Sequence, residues 1–396
     1  MGETIHAGPL FPVDQRVGGD KQNIMPSSEI ELLNCCADID PEATQLQKLR
    51  GHLSNDLDMD RLTRRAALEG LGGFLYKNML KAGLLESVSP RHQQKLYTLY
   101  YLTVRNNLRL MHALNIILDS LNREGIDIVL LQGMALLQET YRDVGLRPMK
   151  DIDLWVMPKD YQVLVDTLLR QGFARDPLYP NTFRKGETVL DVHTHILWAD
   201  RIKSRAHLLT PSQEDIFCQA VAVNVDGRKA LRLNPQDQFL YLGLHALKHN
   251  FERLIWLVDM KSLVGDWTTA DWAALMERAE ALGHQITLRY LLYLQKHIFD
   301  VRLPDGMSAF LDDWQPRFWE KRMLHRRING RPIPTWAQLI MISSGRGFGR
   351  KIEFFLETLF PRPEILRQVF AHSPGLGLVQ LYWRRVLQVM GLGKQF

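Results

Sequence analysis

The clearest pattern of apolar and polar positions lies between residues 92 and 124. There Leu108, Met111, Leu114 and Leu118 recur at three- and four-residue spacing, which predicts one apolar helix face. Gly125 stops that helix. The texture then changes. Residues 126–131 form a short, almost continuous apolar run ending in Gln132-Gly133, and predict a buried strand. A helix over 134–141 and a loop over 142–150, containing Gly145 and Pro148, follow. Residues 151–156 (DIDLWV) alternate strictly, with Ile152, Leu154 and Val156 on one face and Asp151, Asp153 and Trp155 on the other. A helix over 159–171 ends at Gly172. A hairpin turning near Lys185-Gly186 leads into a strand over 188–196, and a second hairpin turns at Asp226-Gly227. From Pro235 to about residue 300 the pattern is helical again, and apolar and aromatic runs continue beyond it, broken by five prolines.

This pattern divides the chain into a Gly- and Pro-rich mobile arm (1–28), a helical region (29–122), an α/β module (123–233), a second helical region (234–314) and a terminal helical region (315–396). The predicted class is α+β, a mixed-sheet module flanked by helices. Composition narrows the function classes. Of 396 residues, 46% are hydrophobic and 23% charged, the ordinary globular range, so a fibrous or disordered chain is excluded. No run of 18 apolar residues is free of charged or polar breaks, and the N-terminus lacks a basic stretch followed by an apolar one. Neither a membrane span nor a secretory leader is expected. Cys35, Cys36 and Cys218 form no metal or disulfide pattern, which fits a reducing cytoplasm.

Charge adds one asymmetry. Residues 315–396 carry 14 Lys and Arg against four acids, about +10, whereas the whole chain carries +5. Trp and Phe are interleaved with this charge. Such a region could meet an anionic membrane surface, a nucleic acid or an acidic partner, or be a helical domain with solvated charges.

The candidate chemistry lies in the middle module. Asp151 and Asp153 stand two apart on a strand and share a face. Asp191 lies on a later strand, with His193 and His195 at period two on its own face. Three carboxylates converging from adjacent strands suit Mg²⁺ or Mn²⁺ and a phosphoryl displacement. Upstream, Gly133 ends a strand just before a helix, where backbone N–H groups can meet a phosphate. His245 and His249 are four apart on an apolar helix and could bind zinc or serve as interhelical polar contacts. The glycines of SSGRGFGR (343–350) lack the Lys-Ser/Thr of a phosphate loop.

The stretch LLQGMALLQETYRDVGLRPMKDIDLWVMPKD resembles the uncharacterised nucleotidyltransferase family of the polymerase-β-type superfamily, where KGxAL precedes LRPxxDIDLLV. DVHTHILW is similar to that family's DLHxxL strand, and HALKHNFERLIWLVDMKSLV to its following helices, so the resemblance covers about residues 60–300. It implies transfer of a nucleotidyl group from an NTP to a hydroxyl-type acceptor. On that resemblance Asp151 and Asp153 bind both metal ions, and Asp191 binds the catalytic ion and helps activate the acceptor. Gly133, Met134 and the start of their helix hold the triphosphate, and Arg147 contacts phosphate or forms a structural ion pair. Gln132 replaces the family's Lys, and Met134 its usual small residue. The alternative is a non-catalytic member that keeps the fold as a binding or assembly factor, docked through residues 315–396. The expected setting is the cytoplasm, at the membrane periphery if that region docks on lipid.

Overall fold

The computed structural model describes residues 28–52, 57–209, 212–371, 373 and 375–391. The arm expected over residues 1–28 lies, except for Ser28, outside the described residues. Seven strands form one mixed sheet: β1 (Val129–Leu130), β2 (Ile152–Trp155), β3 (Ala174–Arg175), β4 (Thr182–Lys185), β5 (Thr188–His193), β6 (Val221–Val225) and β7 (Arg228–Arg232). Their order is β3-β4-β5-β2-β1-β7-β6. Helices precede and follow this sheet, so the fold is α+β.

Both hairpins form where turn chemistry puts them. Asp226 and Gly227 have φ of 49° and 86°, the left-handed pair that a tight two-residue turn between twisted strands requires. Gly186 (φ 56°) turns the chain between the paired residues Lys185 and Thr188. The strand expected over 126–131 shrinks to Val129–Leu130. Of that run only these two residues pair with β2 and β7, and at Gln132 the backbone turns left-handed (φ 48°) into the helix Gln132–Glu139.

The helix Pro90–Arg123 packs along the sheet through Leu110, Leu114, Ile117, Leu118 and Leu121. Leu108, expected on this stripe, lies about a third of a turn outside it and is exposed. The same helix shapes the loop before β2. Asn107 Nδ2 donates to the carbonyls of Val144 (2.7 Å) and Arg147 (2.8 Å), and Asn106 Nδ2 donates to that of Met149 (2.7 Å).

Strand β2 is buried on both faces. Trp155 shares the face of Asp153, yet it is fully buried, with Phe217 edge-on at 5.1 Å between ring centroids. Only the Asp end of that face remains accessible. The C-terminal helices Phe348–Leu359, Pro363–Val369 and Leu378–Val389 fold back onto the module. Glu357 accepts the N–H groups of Lys203 (2.8 Å) and Ser204 (2.7 Å), and Tyr179 Oη donates to the carbonyl of Gln368 at 2.8 Å.

Candidate functional site

Asp153 and Asp191 are direct register partners on the parallel strands β2 and β5. Register partners project from the same face of a sheet, and Asp151, two residues before Asp153, joins them by the strand period. All three line one cavity of about 700 Å³. Two neighbours fix the carboxylates. His193 Nε2 lies 3.0 Å from Asp153 Oδ1, and Thr182, opposite Asp191 on β4, donates its hydroxyl to Asp191 Oδ1 at 2.5 Å. Asp151 has no such partner among the described residues. His195, expected beside His193, lies past the end of β5, where its Nδ1 accepts the N–H of Leu197 at 3.1 Å.

The electrostatic consequence is large. Burial, and then the charges of Asp153 and Asp191, push the Asp151 carboxyl up to about 7. Burial and Asp153 raise Asp191 as well, against the lowering effect of the Thr182 hydrogen bond. Like charges held together from adjacent strands favour a bound cation or a retained proton.

Gly133 is needed for close approach. A β-carbon there would collide with Nη1 of Arg147 and with the Met149 side chain. Arg147 is 5% exposed and lies against Asp259 of the helix Ile255–Leu263. Its Nε donates to both Asp259 oxygens (3.0 and 3.1 Å) and its Nη2 to Oδ2 (2.8 Å), while Tyr141 Oη donates to Oδ1 at 2.7 Å. Of the two roles expected for Arg147, the ion pair is therefore present, and Nη1 is the nitrogen turned toward Gly133. Met134, expected among the phosphate contacts at the start of the helix Gln132–Glu139, offers no side chain to the cavity. Its side chain is 1% exposed, packs in the core and does not line the cavity. The helix turns Gln132 and Gly133, not Met134, toward the opening.

The opposite wall is basic and aromatic. Lys248 Nζ sits 3.7 Å over the ring of Trp198, with no carboxylate oxygen of the described residues within ion-pair distance. Burial, followed by the charges of Arg205 and Arg201, holds the Lys248 ammonium well below the usual lysine range. His245 and His249 line the same wall with ring centroids 4.7 Å apart, and His245 Nδ1 has no hydrogen-bond partner among the described residues. Arg362, Ile365 and Gln368 close the cavity from the C-terminal region.

Sequence reasoning missed Lys248, Trp198 and this C-terminal wall. The one signal was a lysine between two histidines on a helix that is otherwise apolar. Residues 55–300 match the model of a family described as an uncharacterised nucleotidyltransferase. No curated protein and no solved structure matches the chain.

Proposed function

Because the chain belongs to the uncharacterised nucleotidyltransferase family, we propose that it moves a nucleotidyl group from an NTP to a hydroxyl-type acceptor, with Mg²⁺ or Mn²⁺. The observation that carries this reading is the register pairing of Asp153 with Asp191 in a cavity that Asp151 also lines. The donor set fits a hard divalent cation: three carboxylates, of which Asp151 has no protein hydrogen-bond donor. Among the described residues no three His, Cys, Asp or Glu side chains are gathered closely enough to hold a metal ion by themselves. The aspartates would then hold the ion together with substrate oxygens and water, as Mg²⁺ sites at phosphates commonly do. When bound, the cation neutralises charge on the phosphates and lowers the acceptor hydroxyl's hold on its proton.

The chain's own residues supply the rest. Thr182 occupies one oxygen of Asp191, and burial raises that carboxyl's proton affinity, which suits it to take the acceptor's proton. The acceptor oxygen bonds to the α-phosphorus, the bond to the bridging oxygen breaks, and pyrophosphate leaves. Gly133 lets phosphate approach the start of its helix, and Lys248, whose proton affinity a bound phosphate would raise, faces it from the far wall. Incubation with radiolabelled NTPs, Mg²⁺ or Mn²⁺ and cell extract should transfer label to an acceptor. No transfer from any of the four nucleotides would overturn the reading.

A second reading is favoured by Gln132 and Met134. They place neither a cation nor a hydroxyl beside Gly133, as a non-catalytic binding factor would tolerate. In that case NTP would raise the melting temperature without label transfer.

A further inference from the structure

Seventeen large apolar side chains are strongly exposed among the described residues, and ten of them fall between Phe318 and Met390. Their arrangement is regular. On the helix Phe348–Leu359, Phe348 (80% exposed), Ile352 and Leu356 recur every four residues, and Phe360 continues the series. On Leu378–Val389, Val379 (83%) and Trp383 (64%) do the same, and Met390 follows. Both helices also have a buried face, through Phe354 and Leu359 on one and Leu381 and Val389 on the other. They pack against each other, and the rings of Phe360 and Tyr382 lie 6.1 Å apart across the junction. The exposed stripes are therefore not faces awaiting a missing core, because each helix already has one.

The charge of the whole C-terminal region is mainly positive. Over residues 315–391, eight exposed Lys and Arg stand against two exposed acids, Glu353 and Glu364. Arg350, Lys351 and Arg367 lie on these helices or on the one between them. Phe, Leu and Trp on one side of a helix, with Lys and Arg at its margins, suit the plane where headgroups meet acyl chains. No helix of the described residues is long and apolar enough to cross a membrane, so contact through these helices would be with the surface.

We infer that the helices Phe348–Leu359 and Leu378–Val389 dock the protein on an anionic phospholipid surface through their exposed apolar stripes. The helix between them, Pro363–Val369, carries Ile365 and Gln368 into the cavity wall, so docking brings the cavity beside the lipid. Nucleic acid fits less well, because an apolar stripe offers nothing to phosphates.

The test is flotation of the full chain with vesicles of phosphatidylcholine alone and with about one-third phosphatidylglycerol, at low and high salt. Binding to the anionic vesicles that weakens with salt is expected. Phe348→Ala with Trp383→Ala should weaken it about tenfold or more, with melting temperature unchanged because both side chains are exposed. Arg350→Glu with Arg367→Glu should weaken it through charge alone. Three outcomes would overturn the inference: no binding to anionic vesicles, equal binding by the aromatic variant, or a wild-type dimer in light scattering that the aromatic variant loses. The last would mean that a second copy covers the stripes. None of these readouts requires NTP, so the docking can fail or hold independently of the proposed chemistry.

Discussion

Replacing Asp151 by asparagine should stabilise the protein in the absence of divalent cation, although it removes a proposed metal ligand. The folded-state carboxyl is raised from 3.8 to about 7. Below pH 4 it is protonated in both folded and unfolded chains and has no effect on stability. Between pH 4 and 7 the unfolded chain ionises while the folded chain keeps its proton, so stability falls as pH rises; above 7 the loss is complete. Three pKa units at about 1.4 kcal/mol each set a ceiling of about 4 kcal/mol. Relaxation and water entry make about 2–3 kcal/mol the expected difference. The assay is urea denaturation of wild type and Asp151→Asn, in EDTA, at pH 4.5 and pH 8. The variant should be more stable by only about 1 kcal/mol at the lower pH, and by clearly more at the higher. The buried histidines whose pKa is lowered, His245, His249 and His284, destabilise both proteins alike on acidification and cancel in the difference. Adding Mg²⁺ or Mn²⁺ at pH 8 should stabilise the wild type more than the variant. A variant less stable than wild type at pH 8, or a difference that ignores pH, would refute the repulsion argument.

Asp153→Asn should abolish label transfer and the rise in melting temperature that NTP with Mg²⁺ produces; an equal rise in the variant would make the carboxylates structural. Gly133→Ala forces a β-carbon into Arg147 and Met149, and should lower stability by about 1–3 kcal/mol and weaken nucleotide binding in equilibrium dialysis. Asp259→Asn leaves Arg147 buried without its counter-charge and should lose about 3–5 kcal/mol. Tyr141→Phe, which removes one hydrogen bond to the same carboxylate, should lose about 1 kcal/mol, so the reverse ranking in urea denaturation would contradict the buried-pair geometry. His245→Ala with His249→Ala should reduce stability and leave metal content unchanged in elemental analysis. Stoichiometric zinc lost on mutation would instead make the pair a zinc site.

The parts of this molecule that could be read from sequence are those written locally. The alternation of residues 151–156 and the Asp-Gly and Lys-Gly turns describe short-range backbone geometry, and β2, β5 and both hairpins form there. The pairing of Asp153 with Asp191 follows once two strands are adjacent and parallel, but adjacency itself is a tertiary fact. Arg147 shows the limit. Its partner lies 112 residues away, and nothing near either residue distinguishes a phosphate contact from a buried ion pair. Met134 follows Gly133 directly, yet the left-handed Gln132 starts a helix that turns the Met134 side chain into the core, a direction that sequence alone does not give. Lys248 was hidden for the same reason: its aromatic partner, Trp198, lies fifty residues upstream in the loop beyond β5.

The C-terminal helices join the two halves of our proposal. The family match ends at residue 300, so the three aspartates, Gly133 and Lys248 lie inside it and the wall formed by Arg362, Ile365 and Gln368 lies outside. Carboxylates and a nearby cation are what nucleotidyl transfer requires of any member, whereas an acceptor is distinguished by the remaining walls of the cavity. That wall is fixed on both sides. Arg362 Nη2 donates to the carbonyl of Asp200 at 2.8 Å, and Glu357 accepts the N–H groups of Lys203 and Ser204. The helices that flank it carry the exposed stripes of Phe348 and Trp383. On this geometry, acceptor choice and surface docking are built into one extension of the fold. A variant that loses lipid binding but keeps its cavity wall should still transfer label to a soluble acceptor, and lose transfer only to one presented at a membrane.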